Sequence, residues 1–147
     1  MVRRDRAVAG AAVATGARAV MTSLLSGMRK SLAILVVVER LLGVVQIVVG
    51  LGIWFGLPMG AVTFHSALGS LFVLILWIVA LIALFALPKR GVALFALLWG
   101  GLVLWFGMAQ TTFVSGAGHW TVRLAHLIIG VAAMGLSEAL GAAVKRS

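Results

Sequence analysis

Cysteine and tyrosine are absent from the 147 residues, and charge is scarce: only 10% of residues are charged and three of them are acidic. Without cysteine there is no disulfide framework, thiolate metal site, iron–sulfur cluster or cysteine nucleophile. Soluble domains carry about 25% charged residues, so this chain has too little polar side chain to cover a water-facing globule. Also missing are a phosphate-cradling glycine loop, a Ser/His/Asp arrangement, paired metal-binding carboxylates and an aromatic-studded basic surface for nucleic acid. Any enzyme chemistry would have to be borrowed from a cofactor.

Apolar residues make up 63% of the chain, and the mean hydropathy is +1.22. They fall in four stretches, residues 31–55, 61–87, 91–114 and 120–143. Each has the about 20 residues that a helix rising about 1.5 Å per residue needs to cross about 30 Å of hydrocarbon. Barrel strands would be about 10 residues long and would alternate apolar with polar, which these stretches do not. The breaks carry Gly56, Pro58 and Gly60, then Pro88 and Gly91, then Ser115, Gly116 and Gly118. These are helix-stopping residues in short connections, which join antiparallel neighbours. The expected fold is all-α: an integral membrane four-helix bundle running up-down-up-down, with the lipid bilayer as its surroundings.

The net charge of +9 lies at the edges of the apolar stretches, which speaks against nucleic acid as a partner. Arg3, Arg4, Arg6, Arg18, Arg29 and Lys30 precede the first span, Lys89 and Arg90 occupy the second connection, and Lys145 and Arg146 close the chain. Ten of the 12 basic residues therefore lie on one side, and the first and third connections hold none. The positive-inside rule makes that side cytoplasmic, with both termini there. Residues 1–30, rich in Ala, Gly and Val with Asp5 the one acid, read as a basic cytoplasmic leader, flexible or lying on the surface, able to meet anionic headgroups. Met21 and Met28 are alternative starts to Met1, since the four spans follow either.

In an apolar solvent the informative residues are the few polar ones. His65 lies about four residues into the second span and His126 about six into the fourth. These helices run in the same direction, so the two imidazoles differ in depth by about 3 Å and lie in the outer leaflet. Each is followed four residues later by glycine, Gly69 and Gly130, which puts bare backbone on the same face one turn deeper. Such a pair reads either as two ligands with a clearing for a flat macrocycle or as two histidines hydrogen-bonded to each other. Arg123, three residues before His126, shares its face one turn nearer the surface; it either pairs with a carboxylate of a bound group or snorkels to the interface. His119 and Gln110 lie near the same rim. Glu39 and Arg40 in the first span are at a depth comparable with Glu138 in the fourth. They read as a structural intramembrane ion-pair set or, with Gln46, as a polar path.

Four helices with histidines at the outer ends of the second and fourth, about sixty residues apart, resemble one half of heme A synthase. More loosely they resemble the small membrane cytochromes b. The resemblance covers residues 32–140 and rests on His65 and His126. The chain departs from the synthase in Val62 and Thr63, where that family has a glutamate shortly before its histidine, and in lacking cysteine. The segments GMAQ and HWTVRLAHLIIG also look like small bacterial membrane proteins of no assigned activity. The resemblance implies a bacterial inner membrane and one heme b ligated by His65 and His126. Gly69 and Gly130 would leave space for it, Arg123 would sit at a propionate, and electrons would pass to or from a quinone or membrane redox partner. Two readings from other classes stand beside it. One is a cofactor-free structural or assembly subunit in a homo- or hetero-oligomer. The other is a small-molecule or ion carrier using Glu39, Arg40, Gln46 and Glu138.

Overall fold

The computed structural model describes residues 2–114 and 116–147, with side chains from Gly16 onward except those of Leu25 and Ser115. Four helices account for most of it: α1 (Val2–Trp54), α2 (Met59–Ala86), α3 (Gly91–Ala109) and α4 (His119–Arg146). Two single 3₁₀ turns, Gln110–Thr112 and Gly116–Gly118, lie between α3 and α4, and no strand occurs among the described residues. The chain divides into two compact units, residues 1–31 and 32–147.

The first unit is helical throughout its described residues. Its composition explains this, since Ala and Arg are among the strongest helix formers. Within it Thr22 donates to the Arg18 carbonyl (2.9 Å) and Ser26 to that of Ser23 (2.8 Å). Val20, Met21 and Leu24 are exposed.

The second unit is a four-helix bundle, and its ends are set by turn chemistry. At the end of α1, Gly56 adopts φ 103°, a conformation glycine reaches at no steric cost. The Leu57 N–H then bonds the Gly52 carbonyl (2.9 Å) and the Gly56 N–H that of Ile53 (3.1 Å), a Schellman closure, with the Leu57 side chain folded over Gly52. α2 starts directly after Pro58 and ends where Pro88 forces Leu87 to extended backbone (φ −104°, ψ 140°). The sequence predicts the third helix to reach residue 114, but it stops at Ala109. There the Thr112 hydroxyl donates to the Ala109 carbonyl (2.7 Å), a local bond that competes with helix continuation. α4 starts at His119 and runs to Arg146, three residues past the expected end.

Contacts between side chains show each helix antiparallel to the next. Gln46 of α1 meets Gly69 and His65 of α2; Trp77 of α2 meets Gly100 of α3; Gly107 of α3 meets His126 of α4; Val36 of α1 meets Gly141 of α4. Helix α2 is buried on more than one side, through Phe72, Val73, Ile75, Leu76, Val79, Ala80 and Ala83. Helix α3 buries the single stripe Ala93, Ala96, Gly100 and Val103. The outer surface is apolar: Phe85 is 79% and Leu98 75% exposed. Exposed apolar area on this scale marks a surface not made for water. All four helices are long and apolar enough to cross a membrane.

The adjacent glycines of α3 separate packing from propensity. A Cβ on Gly100 would stand 2.5 Å from Trp77 Nε1 and 3.1 Å from Val73 Cγ1, whereas one on Gly101 meets nothing within 4 Å. Gly101→Ala is expected to stabilise the bundle by about 0.5–1 kcal/mol, and Gly100→Ala to destabilise it by about 1–3 kcal/mol through overpacking. Thermal unfolding in detergent checks the opposite signs.

Candidate functional site

The fully buried side chains of α2 lie in its C-terminal half, and the histidines lie toward the other end of the bundle. There the C-terminal parts of α1 and α3 and the N-terminal parts of α2 and α4 enclose a cavity of about 470 Å³. Its walls are mostly apolar, among them Ile47, Leu51, Phe72, Val103 and Leu127, and its polar groups are few: Gln46, His65, Ser66, Gln110, Thr111, His119, Arg123 and His126. A largely apolar cavity with a small convergent polar set is the usual form of a site for a small molecule or cofactor.

The two histidines of α2 and α4 come together in it. Their ring centroids are 6.1 Å apart with planes inclined at 56°. Phe106 of α3 stacks on His126 at 6.0 Å and 12°, so this ring is held flat on one face. Each imidazole edge lies against a glycine of an outer helix. A Cβ on Gly50 would be 3.1 Å from His65 Cε1, and one on Gly107 would be 3.2 Å from His126 Cε1. The sequence points instead to Gly69 and Gly130. Gly69 lies under the Gln46 amide, which donates from Nε2 to the His65 carbonyl (2.9 Å). Gly130 opens on the cavity with nothing within 4 Å of its missing Cβ. Gly50 and Gly107 escape a sequence reading because they lie on other helices than the histidines they accommodate, and facing is a tertiary property.

Among the described residues four buried side-chain polar atoms have no hydrogen-bond partner, and three belong to the cavity: His65 Nδ1, His126 Nδ1 and Gln46 Oε1. Native proteins satisfy the large majority of such atoms, and here three of the four belong to residues that line one cavity. Arg123 is exposed at the mouth, with Cζ 6.0 Å from the Trp54 ring centroid, at the limit of a cation–π contact. His119 donates from Nδ1 to the Val114 carbonyl (3.0 Å), which fixes its ring and its tautomer. Among the described residues no three His, Asp or Glu side chains are grouped so as to hold a metal ion alone.

The remaining sequence candidates lie deeper, outside the cavity. Glu39 is 1% exposed and accepts a hydrogen bond from the Ser137 hydroxyl. Arg40 pairs with Glu138 through Nε and Nη2, both 2.6 Å from Oε1. Met134 packed on Gly43 forms the cavity floor; Glu39, Arg40 and Glu138 do not line the cavity. Ser137 carried no signal in the sequence beyond its place on a small-residue face. Trp77 and Trp99 are two further residues that the sequence reading does not single out, although a buried indole N–H needs an acceptor. They donate to the Leu97 (2.9 Å) and Ile129 (3.0 Å) carbonyls and thereby tie α2 and α4 to the hollow bundle's third helix.

No family model matches the chain, and no curated protein or solved structure is significantly similar to it. The site is read on its own geometry.

The chain has three histidines, so their ring resonances are separable by NMR of labelled protein. Gly107→Val is expected to displace the His126 ring into the cavity. The His126 resonances should shift strongly, those of His65 should follow because the rings are 6.1 Å apart, and those of His119 should stay in place.

Proposed function

We propose that the chain is an integral membrane protein of a bacterial inner membrane, with both ends cytoplasmic, that binds one heme b through His65 and His126 and transfers electrons. The carrying observation is the imidazole pair inside an apolar cavity, its buried nitrogens without protein partners. Imidazole–metal bonds are about 2 Å long, so two nitrogens opposed on one metal stand about 4 Å apart, a separation that ring centroids 6.1 Å apart accommodate. Among the described residues no third His, Asp or Glu is grouped with them, so a group that brings its own ligands to the metal would fill the other positions. A macrocycle does this, as in the small membrane cytochromes b that the chain resembles.

In this reading His65 and His126 would hold the group through their imidazole nitrogens, and Gly130, which opens on the cavity, would leave it space, while the Gln46 amide covers Gly69. Arg123 at the mouth pairs with a propionate. When bound, the group supplies reversible one-electron chemistry at its iron. The protein's part is to fix the His126 ring against Phe106, to hold α1 on α2 through Gln46, and to exclude water with apolar walls. A quinone or membrane protein on one side and an acceptor at the outer surface are the partners this placement suits.

Orientation rests on charge. Lys89 and Arg90 in the α2–α3 connection and Lys145 and Arg146 at the end of α4 share one end of the bundle, whereas the histidine cavity lies at the end whose connections have no Lys or Arg. The second reading, a structural subunit packed against partner helices, is favoured by the Arg40–Glu138 pair, whose side chains are partly exposed on the outside of the bundle.

A reduced-minus-oxidised spectrum of the detergent-purified protein is expected to show stoichiometric low-spin heme b. His65→Ala and His126→Ala should each lower heme retention at least tenfold, on the order of 1.4 kcal/mol or more in binding, with membrane insertion unchanged. Heme kept by both variants removes the proposal and moves the structural-subunit reading to first place. Because the natural chain has no cysteine, single substitutions test orientation cleanly. Ala117→Cys in intact cells should react with an impermeant maleimide added outside, and Ser147→Cys only after permeabilisation.

A further inference from the structure

The Arg40–Glu138 pair is the only salt bridge among the described residues, and it lies within two of the apolar helices rather than at their ends. Glu138 lies eight residues before Arg146 and nineteen after His119, or about 12 Å from one end of α4 and about 28 Å from the other. Yet the two side chains are 56% and 40% exposed on the outside of the bundle. In a bilayer that exposure is to hydrocarbon, where charged groups are found facing a protein interior or a water-filled space.

The pairing also leaves hydrogen-bonding capacity unused. Nε and Nη2 of Arg40 both address Oε1 of Glu138. A guanidinium has five N–H donors and a carboxylate two acceptor oxygens, so Nη1 and Oε2 are free to bond outward. The patch therefore presents a donor and an acceptor side by side, a pattern that is its own complement under a two-fold rotation. Its flanks are apolar and exposed: Val37 and Val44 at helical spacing from Arg40 on α1, and Val131 on the face of Glu138 on α4. Gly135, exposed one turn before Glu138, has nothing within 4 Å of its missing Cβ, so another backbone can come close there.

We propose that this α1–α4 face is a two-fold interface with a second copy of the same chain, in which Arg40 of each copy bonds Glu138 of the other. The four groups close into one ring, and each charge is turned from lipid to protein. An axis along the bundle keeps the basic ends of both copies on one side, as a common direction of insertion requires. Any other partner would have to present the same two charges in reversed order at the same depth; a second copy does so by symmetry. The inference rests on the membrane reading and is independent of heme.

The cysteine-free chain makes the test direct. Val44→Cys, treated in native membranes with a short bis-maleimide, is expected to give a covalent dimer at least tenfold more abundant than Leu98→Cys on the exposed face of α3. A Val44→Cys dimer no more abundant than the Leu98→Cys control overturns the proposal, and so does cross-linking to a protein of different mass. A charge-exchange experiment separates pairing between chains from pairing within one. Arg40→Glu and Glu138→Arg, produced singly, each place like charges together and should lose dimer at least tenfold. Produced together with different tags, they should co-purify as a mixed dimer, because two acids in one chain then face two arginines in the other. Absence of a mixed dimer overturns the proposal. If the charge variants are degraded, the Val44→Cys result decides, since it leaves the pair intact. Alkaline extraction of the unmodified chain from membranes would defeat the membrane reading itself; a chain that stays embedded but does not cross-link defeats only the dimer.

Discussion

Glycine governs how near these four helices approach, because a helix that shows a bare backbone lets its neighbour's side chain occupy the space a Cβ would take. At the end nearer the α2–α3 connection the occupants are hydrocarbon and indole: Val36 against Gly141, Met134 against Gly43, Trp77 against Gly100. The helices there close around a core that includes Leu76, Val79 and Ala80. At the other end the occupants facing Gly50 and Gly107 are the imidazoles of His65 and His126. An imidazole edge fills less than a packed helix does, and its polar atoms are not satisfied by apolar walls. Glycine thus meets hydrocarbon or indole at one set of contacts and imidazole at the other, and the imidazole set borders the cavity.

The acidic residues obey the complementary constraint. A buried carboxylate without partners is expensive, more so in surroundings of low dielectric. Glu39 is the one buried carboxylate in the bundle; the Ser137 hydroxyl donates to its Oε2 across the α1–α4 contact, and its Oε1 is the fourth buried atom without a partner. One residue along each helix, Arg40 and Glu138 repeat the cross-helix pairing on the exposed side. The two pairs pin α1 to α4 at one level, one from inside and one from outside, and this fixes which face of α1 the bundle sees. That rotation sets Gln46 against α2, two turns further on, and Gly50 against the His65 ring.

The four helices were legible because length and apolar composition decide whether a segment spans, and neither depends on tertiary contacts. Helix ends were legible where the chain punctuates itself, at Gly56, Pro58 and Pro88. They were misplaced where termination is a side-chain event, as at Thr112. The nearness of His65 and His126 was within reach of counting, since equal rise per residue puts them at similar depth on parallel helices. The glycines beside their rings were not. Sequence spacing gives Gly69 and Gly130 on the histidines' own helices, whereas the residues that touch the rings, Gly50, Gly107 and Phe106, lie on α1 and α3. Periodicity gives the face on which a residue lies but not which neighbouring face will meet it. Ser137 is invisible for the same reason: nothing in a serine on a small-residue stripe says that a glutamate from another helix will arrive there.

The two ends of the second unit are separable in consequence. Met134 seated on Gly43 forms the floor of the histidine cavity, and the charged pair lies beyond it, twelve residues from His126 along α4, or about 18 Å. Along α4 itself the interval has no polar side chain: Leu127, Ile128, Ile129, Gly130, Val131, Ala132, Ala133, Met134, Gly135 and Leu136 precede Ser137. The cavity and the charged pair share two helices: on α1 Gln46 and Gly50 line the one and Arg40 belongs to the other, as His126 and Glu138 do on α4. Depth and face, rather than separate elements, keep them apart: the cavity uses the inner faces near the connections without Lys or Arg, and the charged pair uses the outer faces of α1 and α4.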